Sequence, residues 1–84
     1  MDWNSVAWLR RGSRRKSVLQ LLTKSNNPLS ADDVKKTLHI AMSQASATLK
    51  ELRKKNLVVC LNPQDKIGKL YNITKKGEGV LKKI

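Results

Sequence analysis

The sequence predicts an α+β fold that is mainly α: a three-helix core, a two-stranded hairpin and additional terminal helices. Three observations point to it. At 84 residues one domain, residues 1–84, is expected, and a chain this short buries only roughly 60–65% of its unfolded surface. Hydrophobic residues make up 39% of the chain but aromatics only 4%, with no Phe, so Leu, Val and Ile must form most of the interior. Apolar positions recur at helical spacing along most of the chain and become strand-like only between residues 57 and 74.

The elements follow in order. Residues 1–12 read as an N-terminal extension whose residues 2–11 form a short helix carrying Trp3, Val6 and Leu9, with Gly12 as its stop and Ser13 as the cap of the next. Residues 14–24 form a second helix with Val18, Leu21 and Leu22 on one side. Its opening turn holds Arg14, Arg15 and Lys16, which oppose the helix dipole, so local stability does not explain them. Ser25-Asn26-Asn27-Pro28 breaks that helix. Ser30 and Asp33 then have capping-box spacing for a short helix ending at Leu38 and burying Val34 and Leu38. His39-Ile40 is a tight turn.

The next helix, about residues 41–55, has two unlike halves, small neutral side chains first and a cluster of charges later. Stepping about 100° per residue places Ala45, Leu49 and Leu52 on one side as core. Ser43, Ala47, Lys50 and Lys54 lie opposite, with Gln44 and Glu51 beside them. Residues 57–61 and 69–74 read as two strands joined by a long, polar tip over residues 62–68, with residues 62–69 as the basic wing. Thr74 is placed to cap a last helix over residues 75–84, which buries Val80, Leu81 and Ile84 and is weakened by Gly77 and Gly79.

Eighteen Lys and Arg against six Asp and Glu give a formal charge of +12, and self-repulsion of that size in a small chain implies an anionic partner. Cys60 is the only cysteine, which excludes an intramolecular disulfide and a multi-cysteine metal site and implies a reducing compartment. It reads as a structural thiol. With neither an apolar run of membrane length nor a signal peptide in the sequence, the protein is expected to be cytoplasmic, with no membrane partner. No cofactor motif, small-molecule site or catalytic constellation is evident, and His39 has no second ligand spaced for a metal. The chain does not read as an enzyme.

Helix, helix, tight turn, helix, hairpin, helix is the order of a winged helix-turn-helix. The segment LHIAMSQASATLKELRKKNLV resembles that family's buried Leu, turn and small-residue recognition helix, closing on the Leu-Val that opens the wing. GKLYNITKKG resembles the second wing strand and the Thr-x-x-Gly start of the last helix. Trp8, RGSRRKSVL and CLNP make the chain similar, more narrowly, to small archaeal transcriptional regulators of the ArsR and MarR groups. It departs from them at Ala41, where a Ser or Thr cap is common, and at Ala47, where a longer polar side chain is common.

The resemblance implies a double-stranded DNA-binding transcriptional regulator with its recognition helix in the major groove. Carried onto this sequence, it assigns base contacts to Ser43, Gln44, Ala47 and Lys50, with Gln44 suited to an adenine edge. Backbone or wing contacts fall to Arg14, Arg15, Ser46, Lys66 and Lys69, the two lysines on a flexible tip beside phosphates or in a narrow minor groove. A homodimer is the arrangement that would set two recognition helices on half-sites. Winged helices also serve as protein-interaction modules in transcription or RNA-processing assemblies, and the basic charge suits a nonspecific nucleic-acid binder as well. Trp8 is expected to pack; Trp3 covers the edge of the domain or a dimer contact.

Overall fold

A computed structural model describes residues 3–25 and 27–84. The order is α1 (Trp3–Arg11), α2 (Ser13–Lys24), β1 (Leu29–Ser30), α3 (Ala31–Leu38), α4 (Met42–Lys54), β2 (Val58–Cys60), β3 (Leu70–Ile73) and α5 (Lys75–Leu81). This is the winged helix-turn-helix arrangement: α2, α3 and α4 surround a core, and the β2–β3 hairpin is the wing. The expected start of the first helix at Asp2 lies outside the described residues, as does Asn26 of the turn cluster.

The core is aliphatic, as the composition requires. Leu9, Val18, Leu19, Val34, Ala45, Leu49, Leu52 and Leu57 are all fully buried, and one cluster joins them to Leu22, Val58 and Val80. On α2 the inward residue is Leu19, while Leu21, expected inside, is half-buried at the margin. A single apolar triplet on a wheel does not fix the stripe when α1, α4, α5 and the sheet all press on the same helix.

Helix ends follow from local chemistry in most places. The Ser30 hydroxyl accepts from the Asp33 amide at 3.2 Å, and the Asp33 carboxylate accepts from the Ser30 amide at 3.0 Å, completing the expected capping box. His39 closes α3 in the left-handed region at φ 56°, and Asn56 turns the chain after α4 at φ 61°, so the lone histidine is a turn residue. One cap differs from expectation. Gly12, in extended conformation, caps α2 with its carbonyl accepting from the Lys16 amide at 3.1 Å, and Ser13 is the first helical residue.

The sheet has three strands in the order β1-β3-β2, all antiparallel. The third strand, beyond the two expected, is β1: Leu29 pairs with Tyr71 and Ser30 with Leu70. Two residues, the second of them the α3 cap itself, carry no strand pattern of their own, so only the tertiary pairing reveals it. Cys60 is buried on the inner face of β2, consistent with a structural thiol.

Gly77 reverses its expected role. Thr74 anchors the junction: its hydroxyl donates to the Asn56 carbonyl at 2.7 Å and accepts from the Gly77 amide at 3.0 Å. There α5 lies so close to the chain at Leu57 that a Cβ on Gly77 would strike the Leu57 carbonyl oxygen, with Ile73 Cγ1 2.8 Å away. The glycine is what lets α5 dock, whereas a Cβ on Gly79 would meet nothing within 4 Å. The two glycines therefore respond with opposite signs. Gly77→Ala should lose about 1–3 kcal/mol through overpacking, and Gly79→Ala should gain on the order of 0.5–1 kcal/mol from helix propensity, both measured by urea unfolding.

Candidate nucleic-acid interface

The rotation of α4 decides which side chains face outward. Ala45, Leu49 and Leu52 are fully buried, and Thr48 sits with them, its hydroxyl donating to the Gln44 carbonyl at 2.7 Å. The helix therefore presents Ser43, Ala47 and Lys50 exposed, with Lys54 further along and Gln44 and Ser46 at the margins. Ala41 has no side-chain acceptor to cap the helix, and only half a capping box remains: Gln44 Oε1 accepts from the Ala41 amide at 3.1 Å. That bond leaves Nε2 as the remaining donor of Gln44. Bidentate pairing with an adenine edge, as the sequence suggests, asks the same oxygen to accept again, from the adenine N6 amino group.

Two hollows flank this face. On the wing side a cleft of about 490 Å³ is lined by Met42, Ser46 and Lys50 from α4, Asp32 from α3, and Lys66, Ile67, Lys69 and Tyr71 from the wing. Three lysines meet there from two elements. Asp32, the acid in the cleft, is held by Lys36 at 2.9 Å and Lys35 at 3.9 Å, and its hydrogen bond to Lys36 keeps the carboxyl below its ordinary pKa and so ionised. Burial pushes the Tyr71 phenol above its ordinary value, so Tyr71 stays neutral.

On the opposite side a hollow of about 570 Å³ lies between α4 and the α1–α2 corner, lined by Trp8, Arg11, Arg14, Arg15, Thr48 and Glu51. Arg15 is bound internally here. Its Nη1 donates to the Trp8 carbonyl at 3.0 Å, its Nη2 to Glu51 at 3.1 Å, and its guanidinium lies 4.1 Å from the Trp8 ring centre, with the Lys55 ammonium 5.5 Å from the same ring. Trp8 thus packs, as expected, but as a platform between two cations, while Trp3 is 65% exposed. Glu51 would otherwise oppose an anionic ligand beside the outward face of α4. The Arg15 pairing neutralises it. Arg11 and Arg14 are exposed and form no ion pair or hydrogen bond among the described residues.

The wing tip is tied, not loose. The Asn62 side chain donates to Asp65 at 2.8 Å and to the Gly68 carbonyl at 3.1 Å, and accepts from the Leu70 amide at 2.7 Å. Gly68 turns the chain at φ 73°, where a residue without Cβ is at ease. Nor is the tip wholly polar: Ile67 stands 91% exposed between Lys66 and Gly68. Asn62-Pro63 is a turn signal that foreshadowed the first feature, and a lone apolar residue in a charged loop foreshadowed the second. The Arg15–Glu51 pair spans 36 residues and had no sequence signal.

Among the described residues no helix is long and apolar enough to cross a membrane, and no cluster of His, Cys, Asp or Glu could hold a metal ion.

The chain matches no protein-family model and no curated protein. Solved structures do match. It is 30% identical to the multiple antibiotic-resistance repressor MarR of Listeria monocytogenes over 84% of this chain and 47% of that one, with a TM-score of 0.71. It is 29% identical to a MarR-family transcriptional regulator of a Rhodococcus species over 84% of this chain and 51% of that one, with a TM-score of 0.72. Wild-type MarR of E. coli shares the fold at a TM-score of 0.75 and 23% identity, over 92% of this chain and 59% of that one. The chain is thus a MarR-like winged helix, its neighbours are transcriptional regulators and not enzymes, and it spans about half the length of the regulators it matches.

Arg14 and Arg15, adjacent in sequence, should separate in a stability assay. Arg15→Ala is expected to destabilise the fold by about 1–2 kcal/mol, from its hydrogen bonds and ring contact, while Arg14→Ala stays within about 0.5 kcal/mol of the parent in urea unfolding.

Proposed function

We propose that this chain is the DNA-reading part of a transcriptional regulator, sequence-specific for double-stranded DNA. In this reading α4 lies in the major groove and the wing on the adjacent backbone or minor groove. One observation carries it: a helix face of small side chains, Ser43 and Ala47, stands between two banks of cations that have no partner among the described residues, Arg11 and Arg14 on one flank and Lys66 and Lys69 on the other. Small residues let a backbone approach base edges closely, and cations on both flanks suit the phosphate strands bordering a groove. The likeness to a repressor and a transcriptional regulator supports the same conclusion.

Within this reading each side chain has a task. Ser43 addresses a base edge or phosphate, Gln44 donates from Nε2 to a base acceptor, and Ala47 offers apolar contact, as to a thymine methyl. Lys50 reaches a guanine or phosphate, and Ser46, Arg14, Lys66 and Lys69 lie along the backbone. Arg15 acts through Glu51, removing a repulsive charge beside the groove and not contacting DNA itself. Two copies paired as a homodimer would set their α4 helices about 34–36 Å apart, one turn of duplex.

Selection from random-sequence DNA tests the proposal: an enriched motif is expected, and a twofold-symmetric motif accompanies a dimer. Affinity without a motif would mark a nonspecific binder, and no affinity a protein-interaction module. Changes at Ser43 or Gln44 should alter the recovered motif, whereas Lys66→Ala or Lys69→Ala should weaken every sequence alike. With about five phosphate contacts, log affinity should fall with log salt at a slope of about −4 to −5, and each lysine removed should flatten it by about 1.

A further inference from the structure

Ile67 is nearly bare of protein contact at 91% exposure, yet it is not on a loose loop. Asn62 braces the tip through Asp65, the Gly68 carbonyl and the Leu70 amide, and the left-handed Gly68 turns the chain back directly after it. Being β-branched, Ile67 has few rotamers to lose when it is covered. On either side stand Lys66 and Lys69, cations without a partner among the described residues. Met42, itself 42% exposed, and Lys50 line the same cleft.

This alternation of apolar and cationic groups matches one ligand chemistry. A sugar–phosphate strand repeats an anionic phosphate and a largely apolar deoxyribose, and the minor groove is walled by those sugars. Proteins that bind there insert Ile, Leu, Met or Phe as apolar wedges, with cations on the neighbouring phosphates. An acidic protein surface would satisfy the lysines but leave Ile67 against charge. Resting on the DNA-reading proposal above, we infer that Ile67 enters the minor groove next to the α4 site as an apolar contact on deoxyribose, while Lys66 and Lys69 hold the flanking phosphates. The tip then adds hydrophobic affinity and sensitivity to groove shape, without base-edge hydrogen bonds.

The test uses the full chain and a fixed duplex drawn from the selected pool. Ile67→Ala should weaken binding by roughly five- to tenfold, the effect of removing a partly buried aliphatic group. It should leave the salt slope unchanged, since no charge is lost, and Ile67→Leu should retain most of the affinity. Hydroxyl-radical footprinting should show sugars across the minor groove protected by the parent and exposed with Ile67→Ala, while methylation protection at guanine N7 in the major groove persists. Circular dichroism checks that the variants fold. Parent affinity and an unaltered footprint in Ile67→Ala would overturn the inference and leave the DNA-reading proposal standing. Failure of the parent to bind any duplex would overturn both. Loss of a dimer by sedimentation in Ile67→Ala would also overturn it, because the tip would then be meeting a second copy.

Discussion

Everything outward about α4 depends on what its inner side buries. Ala45, Leu49 and Leu52 are sealed in the core, and each leucine contributes about 1.5–3 kcal/mol by leaving water. Turning the helix by half a revolution would expose both leucines and drive Lys50 and Lys54 inward, where an unpaired charge costs several kcal/mol. The rotation is therefore fixed, and with it the exposure of Ser43, Ala47 and Lys50. A short aliphatic core suffices because it needs only to hold one helix at one angle.

The rest of the molecule braces that angle from both flanks. On one side the Trp8–Arg15–Glu51 contacts tie α1 and α2 to the third turn of α4 and cancel the acid nearest the outward face. On the other, β1 and β2 grip β3, and Asn62 closes the base of the tip, so the lysines of the wing stand at a set place relative to Lys50. Gly77 allows α5 to dock against Leu57, where the wing begins. Net charge alone would attract any polyanion. In the proposed function, what favours a duplex over an arbitrary one is the placing of that charge on two banks with a slender helix face between them.

Much of this could be read before any coordinates, and the reasons divide by range. Ser30 with Asp33, Thr74 as a cap, and the inward set Ala45, Leu49 and Leu52 depend on neighbours within a turn or two, and sequence records those relations directly. The outward set Ser43, Ala47 and Lys50 follows by subtraction. Contacts made across the fold were hidden: Leu19 displaces Leu21 because several elements converge on α2, β1 exists only through β3, and Gly77 matters only because Leu57 is its neighbour. Of the expected interface residues, Ser46 and Lys50 line one cleft with Lys66 and Lys69, Ser43 and Ala47 are exposed on the same helix, Gln44 is partly engaged at the helix cap, Arg14 is exposed on the far flank, and Arg15 turns inward to Glu51. No local pattern distinguishes Arg14 from Arg15.

The most direct measurement is amide chemical-shift mapping of the isotope-labelled chain titrated with a duplex. Shifts are expected to concentrate on the outward residues of α4 from Ser43 to Lys50 and on the tip from Asp65 to Lys69, with α5 and the outer face of β2 at Val59 unmoved. Saturating duplex that leaves α4 and the tip silent, or that moves α5 instead, would contradict it.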